Sequence, residues 1–180
     1  MKQPIQITET GGRFLVTPIT DTNIFTREDF TEEQCEIHEM VQGFCTEHIA
    51  PVKEELEKKD KDLTFSLLQK IAELGLLGIA VPEEYGGMEL DNITAAIVAE
   101  ASSYSECSSF VVTWSTNLGI GSLPFVWFGT PAQKEKYLPR LIDGTCLGDY
   151  GLTEPSAGSD ALSAKTTAVL SEDGKHYILN

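Results

Sequence analysis

The sequence predicts a mainly α protein: an N-terminal helical bundle followed by the first strands of a β domain. Three observations carry that expectation. Two capping boxes, Thr31-Glu-Glu-Gln34 and Thr130-Pro-Ala-Gln133, announce helix starts near the two ends of the first 145 residues. Between them, apolar residues recur at helical spacing. From Cys146 onward the period drops to two, as in strands.

The first helix is predicted from about Thr31 to Ile49, with Ile37, Met40, Val41, Phe44 and Cys45 on its apolar face and Phe30 placed to staple against Cys35. A charged turn or short helix follows Pro51, where Glu54, Glu55, Glu57 and the lysines at 58, 59 and 61 read as a solvated face. Leu67, Leu68, Ile71 and Leu74 define the next helix, and Gly75 stops it. Pro82-Glu-Glu-Tyr-Gly-Gly is a loop. Asp91 then caps a helix from Asn92 to about Tyr104 that is apolar on nearly every face, which predicts a central position.

Between Glu106 and Lys134 there is no charged residue. Ser, Thr, Asn, Gly and Pro interrupt that run throughout, so a buried helix pair is preferred to a membrane span. Trp114, Phe125, Trp127 and Phe128 are accordingly read as core packing rather than as the wall of a ligand site. Leu118-Gly-Ile-Gly-Ser marks a place where backbone packs closely. The helix opened by Thr130 carries proline at its first position, is expected to kink or end near Pro139, and Gly144 closes the bundle.

Beyond it, Tyr150 and Leu152, then Thr167 to Leu170, then His176 to Leu179 alternate as strands do, with Glu172-Asp-Gly-Lys as a hairpin turn. A hairpin is marginal by itself in water, and the strand pattern is still running at Asn180. The expected organisation is therefore an extended leader over 1–30, an all-α domain over 31–145, and the beginning of a middle β domain over 146–180, as in a truncated piece of a longer protein.

Charge narrows the function. Thirteen basic residues face 28 acidic ones, a net charge of −15, which excludes a nucleic-acid footprint of clustered Lys and Arg. The start Met1-Lys-Gln-Pro-Ile lacks both the apolar stretch of a secretory signal and the Arg-rich character of a mitochondrial one. Four cysteines, at 35, 45, 107 and 146, show no pairing logic and fit a reduced cytoplasmic setting. Cys35, His38, Cys45 and His48 form a C-x-x-H…C-x-x-H pattern. On one helix the two pairs stand about 15 Å and about 80° apart, which rules out a shared zinc ion and leaves no metal site expected.

The richest segment is Tyr150-Gly-Leu-Thr-Glu-Pro-Ser-Ala-Gly-Ser-Asp160. Its Pro-Ser-Ala-Gly-Ser-Asp part reads as a loop that offers free backbone N–H groups and two serine hydroxyls to an anionic or polar ligand, with Gly158 allowing close approach. This segment resembles the signature of the acyl-CoA dehydrogenase family, whose members use FAD to introduce a double bond between the α and β carbons of an acyl-CoA thioester. Leu76-Leu-Gly-Ile-Ala-Val-Pro-Glu-Glu-Tyr-Gly-Gly, Leu118-Gly-Ile-Gly-Ser-Leu-Pro and Phe128-Gly-Thr-Pro-Ala-Gln-Lys-Glu-Lys-Tyr-Leu-Pro resemble segments of the family's N-terminal helical domain, in the same order. The likeness covers roughly Phe25 to Asn180. Phe25-Thr-Arg-Glu-Asp-Phe-Thr-Glu-Glu-Gln is most similar to the longer, very-long-chain-related members.

The resemblance implies specific roles. Thr153 would present its hydroxyl and Leu152 its backbone N–H to the isoalloxazine of FAD, with Tyr150 packing beside the ring. Gly158 and Ser159 would face the cofactor's pyrophosphate and the pantetheine arm of the substrate, making Ser159 a substrate contact as well. Glu154 corresponds to a structural acid of the motif, while the family's catalytic glutamate comes from a C-terminal helical domain. No catalytic residue is therefore expected in this chain, which alone should be inactive. Ser156 departs from the glycine found in many members. The implied partners are an acyl-CoA substrate, an electron-transfer flavoprotein and, for the full-length protein, further copies in a homo-oligomer. Coenzyme A is polyanionic, so the net charge of −15 demands local positive groups to offset long-range repulsion. Acyl-CoA oxidases, flavin monooxygenases of related architecture and a non-catalytic acyl-CoA-binding or assembly module are the alternatives.

Overall fold

A computed structural model describes Leu15, Val16 and residues 25–180. The expected leader over 1–30 therefore lies largely outside the described residues. Seven α-helices and one hairpin follow: α1 (Glu32–Phe44), α2 (Lys53–Glu57), α3 (Lys61–Glu73), α4 (Asn92–Ser102), α5 (Ser108–Thr116), α6 (Leu123–Phe128), α7 (Pro131–Ile142), β1 (Ala168–Leu170) and β2 (Tyr177–Leu179). Among the described residues no helix is long and apolar enough to cross a membrane.

Both capping boxes form. The Thr31 hydroxyl accepts the Gln34 N–H at 3.1 Å and the Gln34 amide oxygen accepts the Thr31 N–H at 3.1 Å. At α7 the corresponding Thr130 and Gln133 bonds are 3.3 and 2.9 Å. Asp60 and Asp91 cap α3 and α4 through their carboxylates. These bonds satisfy N–H groups that a helix start leaves without an intrahelical partner. Phe30 stacks on Phe25 with ring centroids 5.7 Å apart, and Cys35, its expected staple partner, is exposed.

The predicted first helix extends to Ile49, but its last turn widens into a π turn at Cys45–Ile49. Gly75 ends the third helical segment in the left-handed region, at φ +76°. The main core gathers Val41, Phe44, Ile49, Leu56, Leu68, Ile71, Leu76, Val98, Phe110 and Trp114 from α1 to α5. A smaller cluster of Val81, Leu138 and Leu141, joined by Phe125, Tyr137 and Ile142, seats α7 against the Pro82-Glu-Glu-Tyr-Gly-Gly loop.

Several expectations are corrected. Helix α4 is not covered on every face: Thr94, Ile97, Val98 and Ala101 are buried, whereas Ala96 and Ala99 are exposed. Alanine is small enough to stand in solvent at little cost, so an apolar count overstates burial there. Met40 is also exposed, leaving the apolar face of α1 to its neighbours. The uncharged run is only half a buried pair. Trp114 is 1% exposed, but Trp127 is 62% and Phe128 83% exposed, so the core reading fails for those two. Helix α7 runs through Pro139 to Ile142 rather than ending there. Pro139 lies on an exposed face and gives up one intrahelical N–H near the end of the helix, where little of it remains to be disrupted.

The hairpin pairs Ala168 with Leu179, Val169 with Ile178 and Leu170 with Tyr177, antiparallel. Gly174 turns it at φ +67°. Tyr150 and Leu152, expected in a strand, lie in irregular backbone because no neighbouring strand among the described residues supplies hydrogen bonds to them.

Candidate functional site

The segment from Gly148 to Asp160 leaves the end of the bundle and crosses exposed surface. Its near end is fixed by Asn117, which is fully buried at the start of a π turn, Asn117–Gly121, after α5. The Asn117 side-chain N–H donates to the Leu141 carbonyl at 2.9 Å, and its carbonyl oxygen accepts the Gly148 N–H at 2.8 Å. The Leu141 carbonyl lies in the last turn of α7, where helix carbonyls lack an intrahelical partner. Ser122 secures the same turn by donating its hydroxyl to the Asn117 carbonyl at 2.5 Å. The close backbone packing predicted at Leu118-Gly-Ile-Gly-Ser is found here: Gly121 faces Gly148, with no room for a Cβ between them.

The far end is fixed by Glu154. Its backbone pairs with Ala157 in both directions, at 3.0 and 3.1 Å, which closes the Pro-Ser turn and buries Ala157. Its carboxylate accepts the N–H groups of Lys165 at 2.7 Å and Thr166 at 3.0 Å. The Thr166 side chain, then these two backbone donors, hold the Glu154 carboxyl below the ordinary carboxylate range. Its charge is thus engaged in joining two stretches of loop, which fits a structural acid better than a proton acceptor. Asp160 binds the Ser163 hydroxyl just beyond.

Between these two clamps stand the residues singled out from sequence. Tyr150 is 52% and Leu152 45% exposed, and Thr153, Gly158 and Ser159 are exposed. Among the described residues, neither the Thr153 and Ser159 hydroxyls nor the backbone N–H groups of Thr153, Gly158 and Ser159 have a hydrogen-bond partner. An added Cβ at Gly158 would meet nothing within 4 Å. The Leu152 N–H differs: it donates to the Tyr150 carbonyl at 3.1 Å in a narrow three-residue turn. The structure therefore brings Tyr150, Leu152 and Thr153 together on one exposed bend and Gly158 and Ser159 on the next, with several donors directed to no protein acceptor. That donor set fits a cofactor with a polar ring edge and an anionic pyrophosphate.

Sequence reasoning missed Asn117. The available signal was an asparagine in the uncharged run, two residues ahead of a Gly-x-Gly. It also missed the Lys165 and Thr166 N–H groups, for which no side-chain pattern gives a clue. Among the described residues no group of His, Cys, Asp and Glu is placed to hold a metal ion. Arg27, not a metal, meets His38, donating to its Nε2 at 2.9 Å.

Comparison with known proteins follows the same division. Residues 31–145 match the family described as acyl-CoA dehydrogenase, N-terminal domain. The chain is 46% identical over 169 residues to a probable acyl-CoA dehydrogenase of Bacillus subtilis, covering 94% of this chain and 28% of that protein. It is 40% identical over 153 residues to the mitochondrial very long-chain specific acyl-CoA dehydrogenase of Macaca fascicularis, covering 85% of this chain and 23% of that one. Its structure superposes on a Bacillus anthracis acyl-CoA dehydrogenase solved in complex with FAD, at a TM-score of 0.85 and 48% identity, over 94% of this chain and 29% of that chain. The chain thus spans less than a third of these relatives. With the match running through the whole helical part, the chain belongs to the acyl-CoA dehydrogenase family.

Proposed function

We propose that this chain supplies the N-terminal helical wall and the flavin-facing bend of an FAD-dependent acyl-CoA dehydrogenase, which oxidises an acyl-CoA thioester to the trans-2-enoyl-CoA. The reading rests above all on the exposed bend at Tyr150, Leu152 and Thr153, where the Thr153 hydroxyl and N–H have no partner among the described residues while both ends of the bend are fixed. FAD would supply the ring that accepts the β hydrogen as hydride. The chain itself would orient that ring and stabilise negative charge developing at its polar edge.

Thr153 would contribute one hydroxyl donor. Leu152 would exchange its narrow-turn bond to Tyr150 for a ring acceptor, a small loss because such turns hold weakly. Tyr150 would offer a flat surface beside the ring. The N–H groups of Gly158 and Ser159, with open space over Gly158, would receive the pyrophosphate, and the Ser159 hydroxyl would also reach the pantetheine arm. Ile120, 54% exposed, adjoins Gly121, which faces Gly148 at the start of the segment entering the bend. It offers apolar surface of the kind an acyl chain covers. The catalytic base, further copies of the subunit and an electron-transfer flavoprotein as acceptor complete the proposal.

The test is Thr153→Ala in the flavin-loaded full-length protein, which carries the catalytic base that this chain lacks. Loss of one donor to a charged ring should move the two-electron potential about 30 mV more negative and slow reduction by substrate. A protein that retains no flavin, or a variant with unchanged potential and reduction rate, sinks the reading.

A further inference from the structure

We propose that Asn117 is a positioning residue for the flavin-facing bend, holding it at a fixed height on the bundle without touching the ligand. The inference rests on the flavin reading above for its consequence, and on the geometry for its cause. Asn117 is fully buried, and both polar atoms of its carboxamide are engaged, in opposite directions: donating to the Leu141 carbonyl at 2.9 Å and accepting the Gly148 N–H at 2.8 Å. One side chain thus joins three elements, the turn after α5, the end of α7 and the segment entering the bend. The only other hydrogen bonds between Gly148 and Thr153, among the described residues, are local: the Tyr150 N–H to the Asp149 carboxylate and the Leu152 N–H to the Tyr150 carbonyl. Neither ties the bend to the bundle. Asn117 supplies that tie, and the Gly121–Gly148 approach sets its distance. A flipped amide would set its oxygen against the Leu141 carbonyl and its N–H against the Gly148 N–H, so the observed orientation specifies position as well as contributing stability.

Asn117→Asp makes the role separable from simple stability. At low pH a protonated aspartic acid can still donate to Leu141 and accept from Gly148. At higher pH a carboxylate would face the Leu141 carbonyl oxygen with no proton between them. The flavin absorption and potential of the loaded Asn117→Asp protein should therefore return toward wild type on acidification, with wild type itself as the control. Asn117→Ala, which cannot make either bond, should bind FAD roughly tenfold more weakly at every pH. Its backbone amides at residues 149–153 should exchange faster, while those of α4 stay slow.

A folded Asn117→Ala protein with wild-type exchange in 149–153 and wild-type flavin properties overturns the proposal. So does a loaded Asn117→Asp protein whose flavin signature shows no more pH dependence than wild type. If the wild-type protein takes up no FAD yet exchange in 149–153 still rises in Asn117→Ala, positioning stands and the flavin reading falls. Should Asn117→Ala fail to fold, Asn117→Ser, which keeps one hydroxyl, decides the matter by the same exchange measurement.

Discussion

Gly121 and Gly148 lie back to back: a Cβ built on Gly121 would fall 2.7 Å from the Gly148 Cα, and one on Gly148 would fall 2.6 Å from the Gly121 Cα. Glycine is required here by space and not by backbone conformation, since neither residue has a positive φ. A turn in the middle of the uncharged run and the segment that follows α7 meet at this point, and the bend is carried out from it.

Gly121→Ala should therefore lever the segment at Gly148 away from the bundle. An extra methyl forced against backbone destabilises by about 1–3 kcal/mol, and urea unfolding should show it as a lower midpoint with an unchanged slope. Gly119→Ala, two residues earlier and with nothing within 4 Å of its added Cβ, is the matched control and should be far milder. Equal midpoints for the two variants would remove the steric argument.

The two capping boxes look alike in sequence and should differ in energy. Gln133 is exposed, whereas Gln34 is buried and donates a further hydrogen bond to the Thr94 hydroxyl at 3.4 Å. Thr130→Ala should cost about 1 kcal/mol, the usual effect of losing such a cap. Gln34→Ala should cost more, about 1–3 kcal/mol, because it also strips a partner from a buried polar group. Thermal melts of Gln34→Ala and Gln133→Ala compare the two directly, and a larger loss at Gln133 would contradict the structure.

Thiol chemistry should sort the four cysteines by depth. Cys35 is exposed and Cys146 half-buried, while Cys45 and Cys107 are buried. Burial pushes the Cys45 thiol up to about 11, so near neutral pH it holds almost no thiolate, the reactive form. A maleimide followed by mass spectrometry should label Cys35 first and reach Cys45 only when denaturant opens the bundle. Early labelling of Cys45 would mean the first helix is not packed as described.

How much of this was readable beforehand depends on whether a feature is local. Thr31, Thr130 and Asp91 declare helix starts because a cap is satisfied within three residues, and Gly121 declares close approach because no Cβ fits between it and Gly148. Trp127 and Phe128 misled because an apolar side chain shows hydrophobic character, not what covers it. Tyr150 and Leu152 alternate like a strand, yet a strand needs a neighbour to supply its hydrogen bonds. Asn117 was hardest to see. Its partners, Leu141 and Gly148, lie 24 and 31 residues downstream, and nothing in its immediate surroundings points to either.

The opposite clamp gives the pH dependence. Glu154 has a folded-state pKa below its ordinary 4.5, held there first by the Thr166 side chain and then by the N–H groups of Lys165 and Thr166. For a carboxyl with a lowered pKa, the stabilising contribution is present above the unfolded value and is lost as pH falls through the folded one. Acidification should thus release the 165–166 stretch while the bundle remains folded. Glu154→Gln keeps the side-chain shape but leaves one neutral acceptor for two donors, so amide protection at Lys165 and Thr166 should fall near neutral pH to what wild type shows in acid. Protection, taken as a ratio to the intrinsic exchange rate, should also lose its acid dependence in the variant. If Glu154→Gln and wild type protect these two amides equally across the acid range, the carboxylate does not hold the loop.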